Sequence, residues 1–167
     1  MKKVLLCAMA ILIVAGASGF AQPTAKTAPK PASTSGKDSS MSSGRRYINL
    51  PGRPANLPFS DGVLVGDTLY LSGRIGIDPA TGQAAKDINE ELRLLFDGFE
   101  AVLAQAGMSM DDLVYVQVYS PDVSLWGKFN EAYVKRFAKE FPARAFLGSG
   151  PLLLGGRFEM VGVAVKR

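Results

Sequence analysis

The C-terminal segment Arg157–Val165 most constrains the fold, because its pattern predicts a β-strand that is apolar on both faces. One set of alternating side chains is Val161, Val163 and Val165, and the other is Phe158, Met160 and Ala164. Each apolar face of a strand needs cover from another layer of protein. The rest of the chain must therefore supply two covering layers, or a second chain must supply one of them.

Alternating patterns predict five further strands, and 3.6-residue patterns predict two helices. The strands lie near residues 47–50, 62–65, 68–72, 113–119 and 141–147. The Gly66-Asp67 pair predicts a two-residue hairpin turn of type I′ or II′. The resulting order, β-β-β-α-β-α-β-β, indicates an α+β fold in which two helices cover one face of a mixed sheet.

Both predicted helices have recognisable starts and ends. Asp87 is a candidate N-cap with Glu90 placed for a capping box, and the apolar stripe that follows ends before Gly107. The second helix is predicted from about Ser124 to Pro142, with four aromatic side chains facing inward: Trp126, Phe129, Tyr133 and Phe137. Two helices cannot cover two sheet faces, so we predict a homo-oligomer that buries the second face.

The N-terminus has the pattern of an export signal. Two lysines precede an uncharged apolar run over residues 4–17, and small residues follow up to Ala21, which predicts a signal peptide over residues 1–21. The run is shorter than the roughly 20 residues that a membrane-spanning helix requires, and a retained anchor is the alternative. We therefore expect an exported protein, periplasmic or secreted, with no membrane contact after cleavage.

Residues 22–45 differ in composition from residues 46–167. The first stretch is rich in Pro, Ala, Thr, Ser and Lys, so it predicts a flexible linker ahead of a folded domain. The net charge of +4 belongs to the N-terminus, since residues 1–45 carry six basic groups and one acid, and the remainder carries 13 basic groups and 14 acids. A near-neutral domain gives no electrostatic reason to expect nucleic-acid binding.

The residue inventory excludes several kinds of active site. The chain has no histidine, and its single cysteine, Cys7, lies in the predicted signal peptide. Histidine-dependent triads, the H-E-x-x-H zinc motif, zinc–thiolate sites and thiolate nucleophiles are therefore excluded from the mature chain. Any catalysis must use arginine, lysine, acidic, tyrosine or serine side chains, backbone groups or water.

Two charged residues stand out because each lies within an apolar strand. Arg144 lies between alanines, and Glu159 lies between Phe158 and Met160. One interpretation is structural, in which the two form an ion pair or lie at an exposed edge of the sheet. The other is a site for a small anion, in which the guanidinium binds a carboxylate and the glutamate handles a water or a proton. At the end of another strand, the glycine of Ser72-Gly73 either permits the close approach of a ligand or a backbone or marks an ordinary strand-end turn.

On these residues the sequence resembles the Rid family of reactive-intermediate enamine/imine deaminases. Pro142-Ala143-Arg144-Ala145-x-Leu147, followed by Glu159-Met160, is similar to the family signature. Supporting pieces are Ser72-Gly73, Asp78-Pro79-x-Thr81-Gly82 and Asn130-x-x-Tyr133, and the resemblance spans residues 47–167. It implies a chorismate-mutase-like fold, with a six-stranded sheet and two helices on one face, assembled as a homotrimer whose sites lie between subunits.

The resemblance also implies an activity, the hydrolysis of 2-imino and enamino acids to 2-oxo acids and ammonia, without a metal or organic cofactor. Arg144 would bind the substrate carboxylate, and Glu159 would orient or activate the attacking water. The implied substrate-binding residues are Phe59, Ser72, Gly73, Asn130 and Phe146. Many members have tyrosine in place of Phe59 and cysteine in place of Phe146, so the alternative is a non-catalytic module of this fold that binds small carboxylates.

Overall fold

A mixed sheet of six strands carries the fold in the computed structural model, which describes residues 44–167. Its strands are β1 (Arg45–Ile48), β2 (Gly62–Val65), β3 (Thr68–Arg74), β6 (Leu113–Ser120), β7 (Ala143–Gly148) and β8 (Glu159–Val165). A small separate hairpin is formed by β4 (Ile77–Asp78) and β5 (Gln83–Ala84). The strand order is β1-β2-β3-β8-β6-β7, and β6 and β7 form the one parallel pair of this sheet.

Two helices, α1 (Ile88–Gln105) and α2 (Trp126–Tyr133), pack on the same face of the sheet. On α1, Phe99 lies against Gly162 of β8, and on α2, Phe129 packs against Phe146 of β7 with their ring centroids 5.7 Å apart. The register puts Gly162 beside Val116 and Phe146 beside Val118, two inward positions of β6. The predicted six-stranded sheet with two helices on one face is therefore confirmed.

The first helix begins and ends almost where the sequence predicts. Asp87 caps it, because its Oδ1 accepts hydrogen bonds from the backbone N–H groups of Asn89 and Glu90 at 3.0 and 2.9 Å. The predicted capping box is wrong, since the Glu90 carboxylate accepts hydrogen bonds from Arg93 instead. At the other end, Gly107 has a φ of 72°, the left-handed conformation that favours glycine after a helix.

The second helix is shorter than predicted. It ends at Tyr133 and continues only as a 3₁₀ turn over Val134–Arg136, well before Pro142. The chain then leaves the helical path because Oδ1 of Asp111 accepts hydrogen bonds from the backbone N–H groups of Ala138 and Lys139. The prediction that Trp126 faces inward is also wrong, since this side chain is 52% exposed in the first turn of α2.

The face of the sheet opposite the helices is uncovered in the part of the chain that the structure describes. Across its centre the register aligns Val63, Tyr70, Val163 and Tyr115 in one row. Exposed apolar side chains extend this row over the same face, namely Tyr47, Val65, Tyr70, Tyr115, Leu147 and Val165. A surface of this kind marks an interaction site, and its burial by further copies of the chain stays a prediction.

The predicted signal peptide and most of the predicted linker lie outside the described residues. The first strand, β1, starts at Arg45, one residue before the predicted domain boundary. None of the helices within residues 44–167 combines the length and the apolar character required to cross a membrane.

Candidate active site

Arg144 projects from β7 toward α2, where three neutral side chains hold its guanidinium. Its Nη2 donates a hydrogen bond to Oδ1 of Asn130 at 2.6 Å. Its Cζ lies 4.4 Å from the ring centroid of Tyr133 and 5.6 Å from that of Phe129. A cation over an aromatic face gains roughly 0.5–2 kcal/mol. The guanidinium is thus oriented without using an acidic partner.

No acidic side chain within residues 44–167 forms a salt bridge with Arg144. The ion pair with Glu159, part of the structural interpretation of the sequence, is absent. Glu159 aligns through Tyr119 of β6 with Leu147, three positions beyond Arg144 along β7. This odd offset places the two side chains on opposite faces, with Cα atoms roughly 14 Å apart from strand spacing and rise.

A cleft of about 330 Å³ opens beside Arg144, and we name it the arginine cleft. It is lined by Asn130, Tyr133, Val134, Phe141, Pro142 and Arg144. Its polar side holds the Arg144–Asn130 pair, and its remaining lining is aromatic or aliphatic. An unpaired guanidinium in an otherwise apolar cleft is suited to bind a small carboxylate, because the guanidinium fork can donate two parallel hydrogen bonds.

Tyr133 supplies a neutral ring to this cleft. Burial raises the pKa of its hydroxyl to about 12, and the nearby positive charge of Arg144 opposes part of that rise. The hydroxyl has no hydrogen-bond partner among the described residues. Sequence reasoning missed this contribution to the site, although Tyr133 lies three residues after Asn130 and therefore on the same helix face.

Three other predicted site residues, Ser72, Gly73 and Glu159, form a second group, the glutamate cluster, and a fourth, Phe59, lies on the loop that Ser72 contacts. The Glu159 carboxylate lies directly against the Cα of Gly73, where a Cβ would overlap its Oε1. Within residues 44–167 this carboxylate makes no ion pair. The predicted close approach at Gly73 is therefore made by the Glu159 side chain.

Ser72 connects Glu159 and Gly73 to the loop that carries Phe59. Its Oγ donates to the carbonyl oxygen of Ser60 at 2.6 Å, and its N–H donates to that of Asp61 at 3.1 Å. The ring of Phe59 is half-exposed and lies 5.4 Å from the Arg53 guanidinium, which also donates a hydrogen bond to the Phe59 carbonyl oxygen. Sequence reasoning missed this supporting role of Arg53.

Phe146 does not line the arginine cleft. It lies two positions after Arg144 on the same face of β7, and its ring packs against Phe129 at the margin of the core. The structure thus brings Asn130 and Arg144 together on one side and Ser72, Gly73 and Glu159 together elsewhere, with Phe59 on the adjoining loop. No group of three or more potential metal-ligating side chains occurs within residues 44–167.

A buried carboxylate on α1 fixes the entry into the strand that bears Glu159. Glu91 is fully buried, and its Oε2 forms a salt bridge of 2.6 Å with Nε of Arg157. Its Oε1 accepts hydrogen bonds from the backbone N–H groups of Arg157 and Phe158 at 2.6 and 3.3 Å. This contact connects positions 66 residues apart in sequence, and the helical pattern of α1 gave no sign of it.

Solved structures with this fold include RidA from an Antarctic Psychrobacter and the YjgF gene product of E. coli. RidA superposes with a TM-score of 0.67 at 30% identity, over 72% of this chain and 99% of that one. The YjgF protein gives a TM-score of 0.66 at 28% identity, over 73% and 99%. Residues 51–166 also match the family described as Endoribonuclease L-PSP. The chain belongs to this family, the Rid family.

Other Rid-family relatives are named for what they do or for the family alone. The chain is 35% identical over 124 residues to the 2-iminobutanoate/2-iminopropanoate deaminase of Capra hircus, which is 73% of this chain and 90% of that protein. The human protein of the same name is 34% identical over 124 residues, which is also 73% of this chain and 90% of that protein. A RutC family protein of Pyrococcus abyssi is 36% identical over 110 residues, 65% of this chain and 87% of that protein.

Proposed function

We propose that this chain is an exported deaminase that hydrolyses reactive 2-imino and enamino acids to 2-oxo acids and ammonia. The observation that carries the proposal is the Arg144 guanidinium, which lies in a cleft without a counter-ion among the described residues and is oriented by Asn130 and Tyr133. The deaminase relatives, at 34–35% identity over 124 residues, support the same reaction.

In this proposal the active unit is a homotrimer whose sites lie between subunits. A single chain holds Arg144 and Glu159 on opposite faces of its sheet, so the two side chains cannot act on one small substrate within that chain. The uncovered apolar face offers the surface on which copies would associate. The arginine cleft of one subunit would then face the glutamate cluster of its neighbour.

The proposed chemistry requires little from the protein beyond placement. The substrate carboxylate lies on the Arg144 fork, and water adds to the electrophilic C2 of the iminium while Glu159 of the neighbouring subunit accepts a proton from that water. Glu159 then returns the proton to the nitrogen of the resulting carbinolamine, and the C2–N bond breaks as the hydroxyl oxygen forms the carbonyl of the 2-oxo acid. The departing ammonia takes the hydroxyl proton and leaves as ammonium. Backbone groups at Ser72-Gly73 line the nitrogen end.

The decisive experiment measures ammonia release from 2-imino acids generated in situ by an amino-acid oxidase. We expect wild type to accelerate release, and Arg144→Ala to lower kcat/KM by at least about 100-fold, because it removes a charge-assisted hydrogen-bonded pair with the substrate. Arg93→Ala is the matched control, since Arg93 is an exposed arginine paired with Glu90 and Asp97, and its activity should equal wild type. Unchanged turnover in Arg144→Ala would refute the carboxylate-binding role.

A second candidate function is favoured by Phe59, whose half-exposed ring brings no hydroxyl to the glutamate cluster. The chain would then be a non-catalytic module that binds small carboxylates. It predicts that pyruvate or longer 2-oxo acids raise the Tm of wild type but not of Arg144→Ala, with no ammonia release from any imino acid. Turnover by wild type would exclude this candidate.

Export is the part of the proposal that rests on sequence alone. The pattern of residues 1–21 supports it. Expression of the full chain in a Gram-negative host, followed by cell fractionation and N-terminal sequencing, tests it. A periplasmic or secreted product that begins at Gln22 is expected, and an uncleaved product in the cytoplasmic fraction would contradict export.

A further inference from the structure

The arginine cleft has an apolar side that the core does not use. Phe141 is 58% exposed and Val134 is 47% exposed, although both line the cleft. Phe141 packs against other aromatic rings, with its centroid 5.5 Å from that of Phe137 and 6.3 Å from that of Tyr133. The chain thus presents a supported aromatic surface toward a cavity instead of burying it.

The apolar side and the cationic side are within reach of one small molecule. Cζ of Arg144 lies 4.4 Å from the Tyr133 centroid, and the Phe141 centroid lies 6.3 Å from the same point, so Arg144 and Phe141 are less than about 11 Å apart. A 2-imino acid whose carboxylate is bound by Arg144 can therefore extend its side chain toward Phe141. A methyl side chain is too short to cover that surface.

We propose that the arginine cleft selects 2-imino acids with a bulky apolar side chain, aromatic or branched, which packs against Phe141 and Val134. This inference rests on the proposed function and specifies its substrate class. Two observations support it. The cavity, at about 330 Å³, is within the size range of pockets for ligands larger than a three-carbon acid. The side chains that line it beyond the Arg144–Asn130 pair are aromatic or aliphatic, so a substrate that buries them gains binding free energy.

The kinetic test compares imino acids generated in situ from alanine, leucine and phenylalanine. We expect kcat/KM for the leucine- and phenylalanine-derived imino acids to exceed that for 2-iminopropanoate by about ten-fold, which is the discrimination that one or two apolar groups supply in a pocket. Phe141→Ala should abolish most of this preference, because it removes the apolar surface that distinguishes a large side chain from a methyl group. Val134→Ala should reduce the preference less, because it removes less surface.

Trp126→Ala is the matched control. Trp126 is an exposed aromatic residue on α2 that does not line the cleft, so its removal should leave the preference unchanged. The mass of each variant in solution is measured in parallel. If Phe141→Ala dissociates the oligomer, Phe141 is a subunit contact and the inference is overturned. If that variant does not fold, Val134→Ala carries the same comparison.

A binding measurement separates this inference from the proposed function. The Kd values of pyruvate and phenylpyruvate are measured by calorimetry for wild type and Phe141→Ala. If phenylpyruvate binds wild type about ten-fold more tightly and Phe141→Ala loses that difference, the cleft has the inferred specificity even if no imino acid is hydrolysed. If phenylpyruvate binds no more tightly than pyruvate, the inference is overturned whatever the turnover.

Discussion

Neutral neighbours hold the Arg144 guanidinium within an apolar strand. A buried cation is costly unless it is paired or hydrogen-bonded, yet the described residues give Arg144 an amide oxygen and two aromatic faces instead of a carboxylate. The fork remains available for an external anion. By contrast, Arg157 is committed to Glu91 at 2.6 Å, so the same residue type serves stability there.

Gly73 is a residue at which the addition of one methyl group should lower activity but leave stability nearly unchanged. An added Cβ would overlap Oε1 of Glu159 and lie 3.0 Å from its Cδ. Because the overlapping atom ends a flexible side chain, Gly73→Ala should displace the carboxylate at little cost in folding. We expect ammonia release to fall by about 10-fold or more, with Tm nearly unchanged, since a misplaced general base loses most of its contribution.

Gly127→Ala provides the control for Gly73→Ala. Gly127 lies within α2, and a Cβ there would meet no atom within 4 Å. Alanine is favoured over glycine in a helix by about 1 kcal/mol, so this variant should be slightly more stable and fully active. Wild-type kinetics in Gly73→Ala would contradict the proposed role of Glu159 as a general base.

The candidate site was partly predictable at this scale. Arg144 and Glu159 could be selected because charged side chains in apolar strands require an explanation, and Gly73 because glycine at a strand end permits close contact. Tyr133 and Phe141 were not identified as site residues, since aromatic residues at helical or strand spacing fit a core equally well. Only the fold shows that the Tyr133 ring lies under a guanidinium and that Phe141 faces a cavity.

At the scale of elements, local signals predicted α1 but not the end of α2. The α1 boundaries depend on contacts within a few residues, such as the Asp87 cap and Gly107. The end of α2 depends on Asp111, which is 27 residues before Ala138 and accepts its backbone N–H at 2.9 Å. A contact across that separation leaves no mark in the periodicity, so the aromatic spacing up to Phe137 extended the predicted helix too far.

The junction between α1 and β8 should be sensitive to the loss of one carboxylate. Glu91→Ala leaves the Arg157 guanidinium without its partner and two backbone N–H groups without an acceptor. Because the Arg157 side chain is 34% exposed, the loss should be below the roughly 3–5 kcal/mol of a fully buried pair. The buried N–H groups that lose their acceptor cost about 1–3 kcal/mol, so the urea midpoint should still fall and turnover should fall with it. Chemical denaturation followed by circular dichroism measures the loss.

Glu90→Ala is the matched comparison for Glu91→Ala on the same helix. Glu90 pairs with Arg93 at the exposed side of α1, where solvent screens the interaction. Its replacement should shift the urea midpoint far less than Glu91→Ala. Equal shifts for the two variants would show that the buried bridge adds nothing to the fold.

At the scale of the whole molecule, the proposed function requires Arg144 of one subunit and Glu159 of another to form one site. If Arg144 and Glu159 act from different subunits, Arg144→Ala and Glu159→Gln trimers are each inactive, but mixed trimers contain sites with both residues intact. After the two variants are unfolded together in equal amounts and refolded, about a quarter of wild-type ammonia release should return, because each site draws its two residues independently.

Two controls are needed to attribute the recovered ammonia release to mixed trimers. Each variant refolded alone should stay inactive, and the mixture should have the mass of a trimer in solution. If the mixture stays inactive while it contains mixed trimers, the two residues do not share a site across a subunit boundary. The uncovered apolar face, with Tyr70, Val163 and Tyr115 in one row, is where the assembly would form.

The opposite directions in which Arg144 and Glu159 leave the sheet also bear on when the chemistry begins. In the proposed trimer, a separate folded chain holds one of the two residues of each of two sites and both residues of neither. Turnover would then require association of the chains, so turnover per chain should rise with chain concentration until assembly is complete. Dilution alone, with no inhibitor and no unfolding, should dissociate the chains and abolish turnover.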